Sequence, residues 1–208
     1  RRRRQRGRGG AGSGLRGRVR AAARRGSMIE GVTTPSTAGW WLASFLVALT
    51  AQRFGEFVIS ARNEKRLRSL GAREHARGHF PLLLLVHVLF PVCLVAEFLL
   101  LGVRPGRLWP LWLALCVVAQ ALRLASIRAL GERWHVRIWV VPGMPLVRHG
   151  PYRWLRHPNY LAVVIELVAA PLMFGAWRTA AGISALNLVA LGIRIRAEQR
   201  ALGSSATA

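Results

Sequence analysis

Two polar clusters offer side chains from which chemistry can be argued. One is the thirteen-residue run Arg148-His149-Gly150-Pro151-Tyr152-Arg153-Trp154-Leu155-Arg156-His157-Pro158-Asn159-Tyr160; the other, about forty residues later, is Arg194-Ile195-Arg196-Ala197-Glu198-Gln199. Pro158 keeps His157 out of the α region and suits the first turn of a helix, so His157 is expected at or beside the amino end of an apolar helix. The unpaired backbone N–H groups of such an end form a weak positive site, able to receive the carboxylate of an amino-acid-like cofactor such as S-adenosylmethionine. Tyr152, Trp154 and Tyr160 supply aromatic faces for an adenine or a sulfonium cation, after the turn marked by Gly150-Pro151. The same residues also suit an interfacial loop with belt aromatics and a helix-starting proline.

Asn187, Leu191, Arg194 and Glu198 are spaced 4, 3 and 4 apart and so share one helical face. Arg194 with Glu198 reads either as part of a site or as a surface pair one turn apart. At about 1.5 Å of rise per residue, Glu166 lies roughly 13 to 14 Å from His157 along its helix, and Asn187 roughly 16 to 17 Å from Glu198. The two are thus expected at similar depth, either lining a pocket or bonded to each other as glue between helices.

Further upstream, Gln52, Arg53 and Glu56 end the first apolar stretch, with Arg53 and Glu56 expected to pair one turn apart. His87 and Glu97, inside the second stretch, read as pocket-lining groups or as a core histidine and a snorkelling glutamate. His75 and His79 have a spacing that could bind a metal, but no third ligand accompanies them. An interfacial helix ending at Pro81 is the expectation there, and no metal site is predicted. Cys93 and Cys116 lack disulfide-framework or zinc spacing and read as small core residues.

The elements that position these groups are set by a bilayer. The chain has 208 residues, 52% of them hydrophobic, and a mean hydropathy of +0.28, too apolar for an ordinary soluble domain. Five apolar stretches stand out, roughly residues 39–59, 81–102, 108–125, 159–175 and 179–193. The last two are short against the roughly 20 residues needed to cross about 30 Å of hydrocarbon, so they should be tilted or sheltered by protein. An all-α integral membrane protein is expected, with about five transmembrane helices, a C-terminal helical hairpin and a cytoplasmic cofactor-binding loop.

Net charge is +23, which invites a nucleic-acid reading, but the distribution argues against one. Eleven of the 31 basic residues lie in residues 1–27, mixed with Gly and without an acid. That segment is expected to be a disordered leader of upstream or mis-started, non-native sequence ahead of a single membrane domain over 28–208. A genuine basic tail on anionic lipid or RNA is the alternative. The remaining positive charge gathers in three segments, a loop from Arg62 to Arg77, then Arg123 to Arg156 and Arg194 to Arg200, which the positive-inside rule assigns to the cytoplasm. Trp40, Trp41, Trp109, Trp112 and Trp177 would mark one interface, and Trp134, Trp139 and Trp154 the other. A glycine-rich dinucleotide fingerprint is absent, and so is Asp, which argues against a soluble Rossmann-type methyltransferase.

Gly150-Pro151-Tyr152-Arg153, Arg156-His157-Pro158-x-Tyr160 and Arg194-Ile195-x-x-Glu198-Gln199 together resemble the signatures of the isoprenylcysteine carboxyl methyltransferase family. The resemblance implies S-adenosylmethionine held between the last two spans and the cytoplasmic loop, by His157, Tyr160, Arg194 and Glu198, with Tyr152 and Arg156 as further contacts. It makes Glu198 and Arg194 the catalytic candidates, and leaves Glu166, Asn187, Arg53, Glu56 and His87 as substrate-pocket candidates. The second acid of the family's pair is Gln199 here, so any mechanism needing two carboxylates is in doubt. Arg62-Asn63-Glu64-Lys65, Gln120-x-x-Arg123 and Gly131-Glu132-Arg133-Trp134 extend the likeness to a bacterial branch that O-methylates alkylpyrones and alkylresorcinols. The implied protein is a multi-pass cell-membrane enzyme working on a lipophilic acceptor, with a functional link to a type III polyketide synthase and no nucleic acid. A prenylcysteine-type carboxyl or phospholipid acceptor stays open, as does a non-enzymatic transporter or scaffold using Glu97 and Glu166 for packing or proton movement.

Overall fold

The computed structural model describes residues 37–75, 80–140 and 145–206. The expected leader at 1–27 and His79 lie outside the described residues. Among the described residues five α-helices carry the fold: α1 (Thr37–Ser69), α2 (Phe80–Leu100), α3 (Trp109–Leu130), α4 (Pro158–Met173) and α5 (Trp177–Ala206). Residues up to Ala43 form one compact unit, of which only the first turns of α1 are described, and Ser44 onward forms the other.

Among the described residues four helical segments are long and apolar enough to cross a membrane: Thr37–Ser69, Phe80–Leu100, Trp109–Arg133 and Trp177–Arg200. The fifth, Pro158–Met173, has 16 residues, about 24 Å at the usual rise. Its shortness is tolerable because protein shelters it. Ala162, Glu166, Leu167, Ala169, Ala170 and Met173 are all buried, and α4 packs most extensively on α3 and then on α5. The small residues Ala162, Ala169 and Ala170 let neighbouring helices approach closely. Large apolar side chains on the other helices, among them Phe54, Phe57, Val92, Val117 and Val189, face outward as lipid contact requires.

Two expectations are corrected. The basic segment after the first apolar stretch is helix, not loop: α1 runs through Arg62, Lys65, Arg66 and Arg68, because nothing there breaks a helix until Gly71, whose φ of 77° ends it. Pro81 does not end an interfacial helix; it lies in the first turn of α2, a position that tolerates proline. Residues Arg73–His75 instead form a short strand, β1, paired antiparallel with β2 (Ile138–Val140), Glu74 opposite Trp139. His75 is therefore on a strand, while His79 lies outside the described residues.

The two ends of the Ser44–Ala208 unit are fixed differently. At one, Gly175 (φ 79°) turns the chain between α4 and α5 where a Cβ would collide with the Arg104 carbonyl. Glu97 of α2 caps α5 at that end, accepting hydrogen bonds from the backbone N–H of Arg178 (3.2 Å) and Thr179 (2.7 Å) and from the Thr179 hydroxyl (2.7 Å). Glu97 thus neither snorkels nor lines a pocket. Glu97→Ala strands those buried donors and is expected to lower unfolding stability in detergent by roughly 1–3 kcal/mol. Denaturant unfolding followed by tryptophan fluorescence would measure it, and a change of only a few tenths would contradict the cap.

At the other end, Asn63 Nδ2 of α1 donates to the carbonyls of Gly131 (3.0 Å) and Trp134 (2.7 Å) just past α3. Val136 N donates to Ser60 Oγ at 2.9 Å. Arg53, Glu56, Ser60 and Asn63 follow one another at three or four residues, with Gln52 one turn before Glu56, so α1 presents one polar stripe inward. That stripe fastens α1, since its close contacts with the other helices are few.

Candidate active site

His157 is the residue before the first turn of α4, with Pro158 at the first helical position. Its carbonyl accepts from the N–H groups of Tyr160 (3.1 Å) and Leu161 (3.2 Å). The side chain makes no capping bond, so the imidazole is free to stack on Tyr160, ring centroids 5.0 Å apart and planes within 8°. Tyr160, one turn into α4, reaches across to α5. Its hydroxyl donates to Glu198 Oε2 at 2.6 Å and accepts from Arg194 Nε at 2.8 Å. The Arg194 guanidinium also lies over the Tyr160 ring, 5.4 Å from its centroid. Arg194 and Glu198 are therefore not a plain surface pair; they meet on one tyrosine hydroxyl.

Two more side chains come within Coulombic reach of Glu198. Tyr152 sits in the short turn Gly150–Arg153, and burial together with the Glu198 charge pushes its hydroxyl up to about 12. It stays a proton donor throughout the physiological range. His135 lies in the bend between α3 and β2, and the β-ladder packs against α5. Burial, joined by Arg194, holds its imidazole below the ordinary range, partly opposed by a hydrogen bond to the Arg137 carbonyl. Arg156 is exposed and stands apart from this contact set.

The substrate-pocket candidates divide. Arg53, Glu56 and Glu166 are joined by Arg123 in a closed ring of four ion pairs: Arg53–Glu56 (3.0 Å), Glu56–Arg123 (3.1 Å), Arg123–Glu166 (3.3 Å) and Glu166–Arg53. Gln52 bonds Glu56 and Gln120, and Gln120 bonds Glu166. The ring is electroneutral, which is what a buried set of four charges requires. Glu166 is 2% exposed, and among the described residues its partners are Arg53, Gln120 and Arg123. Asn187 is buried but is not one of them, so of the two readings of Glu166 the one that bonds it to Asn187 gives way to the ring. His87 turns Nδ1 onto its own helix, to the Leu83 carbonyl at 2.8 Å, within Coulombic reach of Arg53 and Arg123.

Reasoning from residue spacing missed Arg123 in the ring and His135 among the neighbours of Glu198. Arg123 was visible as a charge three residues from Gln120 inside an apolar helix, a signal for a buried partner. His135 had no such signal, because it sits in an irregular bend with no periodicity. Among the described residues no group of three or more His, Cys, Asp or Glu is placed to hold a metal ion.

In chemical terms the cluster at His157, Tyr160, Arg194 and Glu198 combines stacked aromatic faces, a carboxylate and a guanidinium at a helix start. Residues 112–204 match the family model described as the isoprenylcysteine carboxyl methyltransferase (ICMT) family. The chain is 37% identical over 163 residues to protein YpbQ of Bacillus subtilis (strain 168), covering 78% of this chain and 96% of that one. It is 30% identical over 155 residues to an uncharacterized protein of Haemophilus influenzae, covering 74% of this chain and 90% of the relative. No solved structure matches significantly. With the His157-Pro158 helix start, Tyr160, Arg194 and Glu198 all inside the matched residues, this chain belongs to the isoprenylcysteine carboxyl methyltransferase family and is a multi-pass membrane methyltransferase.

Proposed function

We propose that the protein is an S-adenosylmethionine-dependent O-methyltransferase of the cell membrane. Its acceptor is a lipophilic hydroxyl compound such as an alkylpyrone or alkylresorcinol made by a type III polyketide synthase, and its active site faces the cytoplasm. The observation that carries this is the Tyr160 hydroxyl shared between Arg194 and Glu198, with His157 stacked on the same ring.

The donor set fits such a cofactor. Glu198 offers oxygens to an ammonium or to ribose hydroxyls, Arg194 offers a cation to a carboxylate, and His157, Tyr160 and Tyr152 offer flat faces to an adenine or a sulfonium. Bound there, S-adenosylmethionine supplies a methyl group already activated on positively charged sulfur. The chain's own residues then hold the nucleophile in line, exclude water and leave the acceptor's alkyl tail among the helices. Gln199 in place of a second acid suits an acidic enol or phenol, which needs only modest base assistance. The cytoplasmic orientation rests on the basic residues gathered at the His157 and Glu198 end.

The proton-carrier reading loses its groups: Glu97 caps α5 and Glu166 is locked in the ion ring. A prenylcysteine carboxylate is the competing acceptor, favoured by the family's own description. The test is transfer of labelled methyl from S-adenosylmethionine into extracted lipid by membranes containing the chain. Alkylpyrone, alkylresorcinol, prenylcysteine and phospholipid amine are offered in parallel. Incorporation into the first two is expected; label only in prenylcysteine would move the acceptor class, and none in any would end the reading.

A further inference from the structure

We infer that the cleft between the end of α3 and the segment 145–149 holds the phosphate of an anionic phospholipid from the leaflet it faces. The site lies outside the cluster around Tyr160 and stands independently of the methyltransferase reading.

The cleft encloses about 330 Å³, within the range of small-molecule sites, about 300–1,000 Å³. Arg133, Arg148 and His149 line it beside Leu130, Leu146 and Val147, and among the described residues no acid does. Its outer wall is held to α3 at both ends. Arg133 Nη1 donates to the Pro145 carbonyl at 2.7 Å, which uses one of the five guanidinium N–H groups and leaves the others for a ligand. At the far end Gly150 (φ 58°) lies so near α3 that a Cβ there would come within 3.1 Å of the Ala129 Cβ. The backbone carrying Arg148 and His149 is therefore set before a ligand arrives, which lowers the ordering that binding requires.

The neighbouring cleft shows the contrast. It shares Leu130 and Arg133, but there Arg66 already meets Glu132 at 2.6 Å. The cleft at 145–149 gathers cations without such a counter-charge, and a concave surface of one sign draws in an ion of the other. The carbonyl end of α3 works against an anion, yet a helix end carries only about half a unit charge. Two guanidinium groups outweigh it. Arginine also matches phosphate oxygens with paired N–H groups.

A lipid fits better than a free anion. The membrane-spanning segment Trp109–Arg133 ends within the cleft, which places it at headgroup level, where basic pockets receive anionic headgroups. Leu146 is 66% exposed beside the cations. A lone anion leaves that leucine bare, whereas an acyl chain covers it.

The test uses the full chain in dodecyl maltoside micelles, titrated with dioleoylphosphatidylglycerol or dioleoylphosphatidylcholine and read by native mass spectrometry. One phosphatidylglycerol should bind at least about tenfold more tightly than phosphatidylcholine, since each basic residue near a headgroup contributes about fivefold. Arg148→Gln with His149→Gln should weaken it about tenfold. Arg196→Gln with Arg200→Gln removes two charges from α5, outside the cleft, and should weaken it less than about twofold, as screened charges do. Equal losses in the two pairs, or none in the first, overturn the site in favour of diffuse attraction or of none. Excess glycerol 3-phosphate should leave the lipid bound; displacement would give the cleft to a soluble anion and overturn the lipid assignment. All four substituted residues are exposed, so both variants are expected to fold. Should the cleft variant still unfold, the parent chain decides: phosphatidylglycerol, unlike phosphatidylcholine, should slow tryptic cleavage after Arg148, and equal cleavage overturns the site.

Discussion

Glu198→Gln is expected to raise the dissociation constant for S-adenosylhomocysteine about 100-fold, and to lower methyl transfer by at least as much at fixed donor concentration. The estimate follows from what the carboxylate holds. Tyr160 donates to Glu198 Oε2 while accepting from Arg194 Nε, so charge on the acid polarises both bonds. A hydrogen bond to a charged group contributes roughly 1.5–3 kcal/mol, and about 2.8 kcal/mol corresponds to a factor of 100 in affinity. Glutamine keeps the shape but removes the charge, leaves Arg194 uncompensated, and turns one acceptor oxygen into a donor. Titration of the purified protein with S-adenosylhomocysteine reads the effect directly. Gln199→Glu is the companion: Gln199 is exposed on the neighbouring position of α5, so restoring the family's second acid there should change the dissociation constant by less than about threefold, as surface substitutions usually do. Unchanged affinity in Glu198→Gln would remove the carboxylate from the binding role.

The meeting of Tyr160 with Arg194 and Glu198 was legible because local rules carry most of it. Pro158 dictates where α4 starts, which puts His157 at its end and Tyr160 one turn in. Periodicity aligns Arg194 and Glu198 on one face of α5, and a short connection around Gly175 makes α4 and α5 antiparallel neighbours. Each step needs only residues close in sequence. The partners of Glu166 were not legible for the opposite reason. Which helix lies against α4 depends on packing among all five, and no spacing within α4 or α5 reveals that α1 and α3 bring Arg53 and Arg123 to it. Asn187 was the natural guess, because it is the buried polar residue on the helix known to be adjacent. His135 and the β1–β2 ladder escaped on similar grounds: three-residue strands carry too little pattern, and a bend held by Ser60 and Asn63 is defined by a helix some seventy residues earlier in the chain.

Glu166→Ala is expected to destabilise the protein by about 3–5 kcal/mol, the range for removing one member of a buried ionic set. The ring has two positive and two negative corners, and Arg123 and Glu166 are 3% and 2% exposed. Deleting Glu166 leaves Arg53 and Arg123 facing each other across Glu56 alone, with one net charge in an apolar setting. Arg53 is 23% exposed and can turn outward; Arg123 cannot, and its buried Nε has no partner among the described residues. Because α1 is held to the rest of the bundle chiefly by its polar stripe, loosening should appear there first. Limited proteolysis in detergent should cut the α1–α2 connection faster in the variant than in the parent. The coupled nature of the ring can be separated from simple loss of contacts by a second change. Arg123→Met with Glu166→Met removes one positive and one negative corner and leaves the Arg53–Glu56 pair, 3.0 Å apart, intact. Its cost should fall short of the sum of the two single substitutions by about 1–3 kcal/mol, as contacting residues in one network do. Strict additivity in denaturant unfolding would mean that the four charges do not act as a unit, and α1 would then need some other fastening.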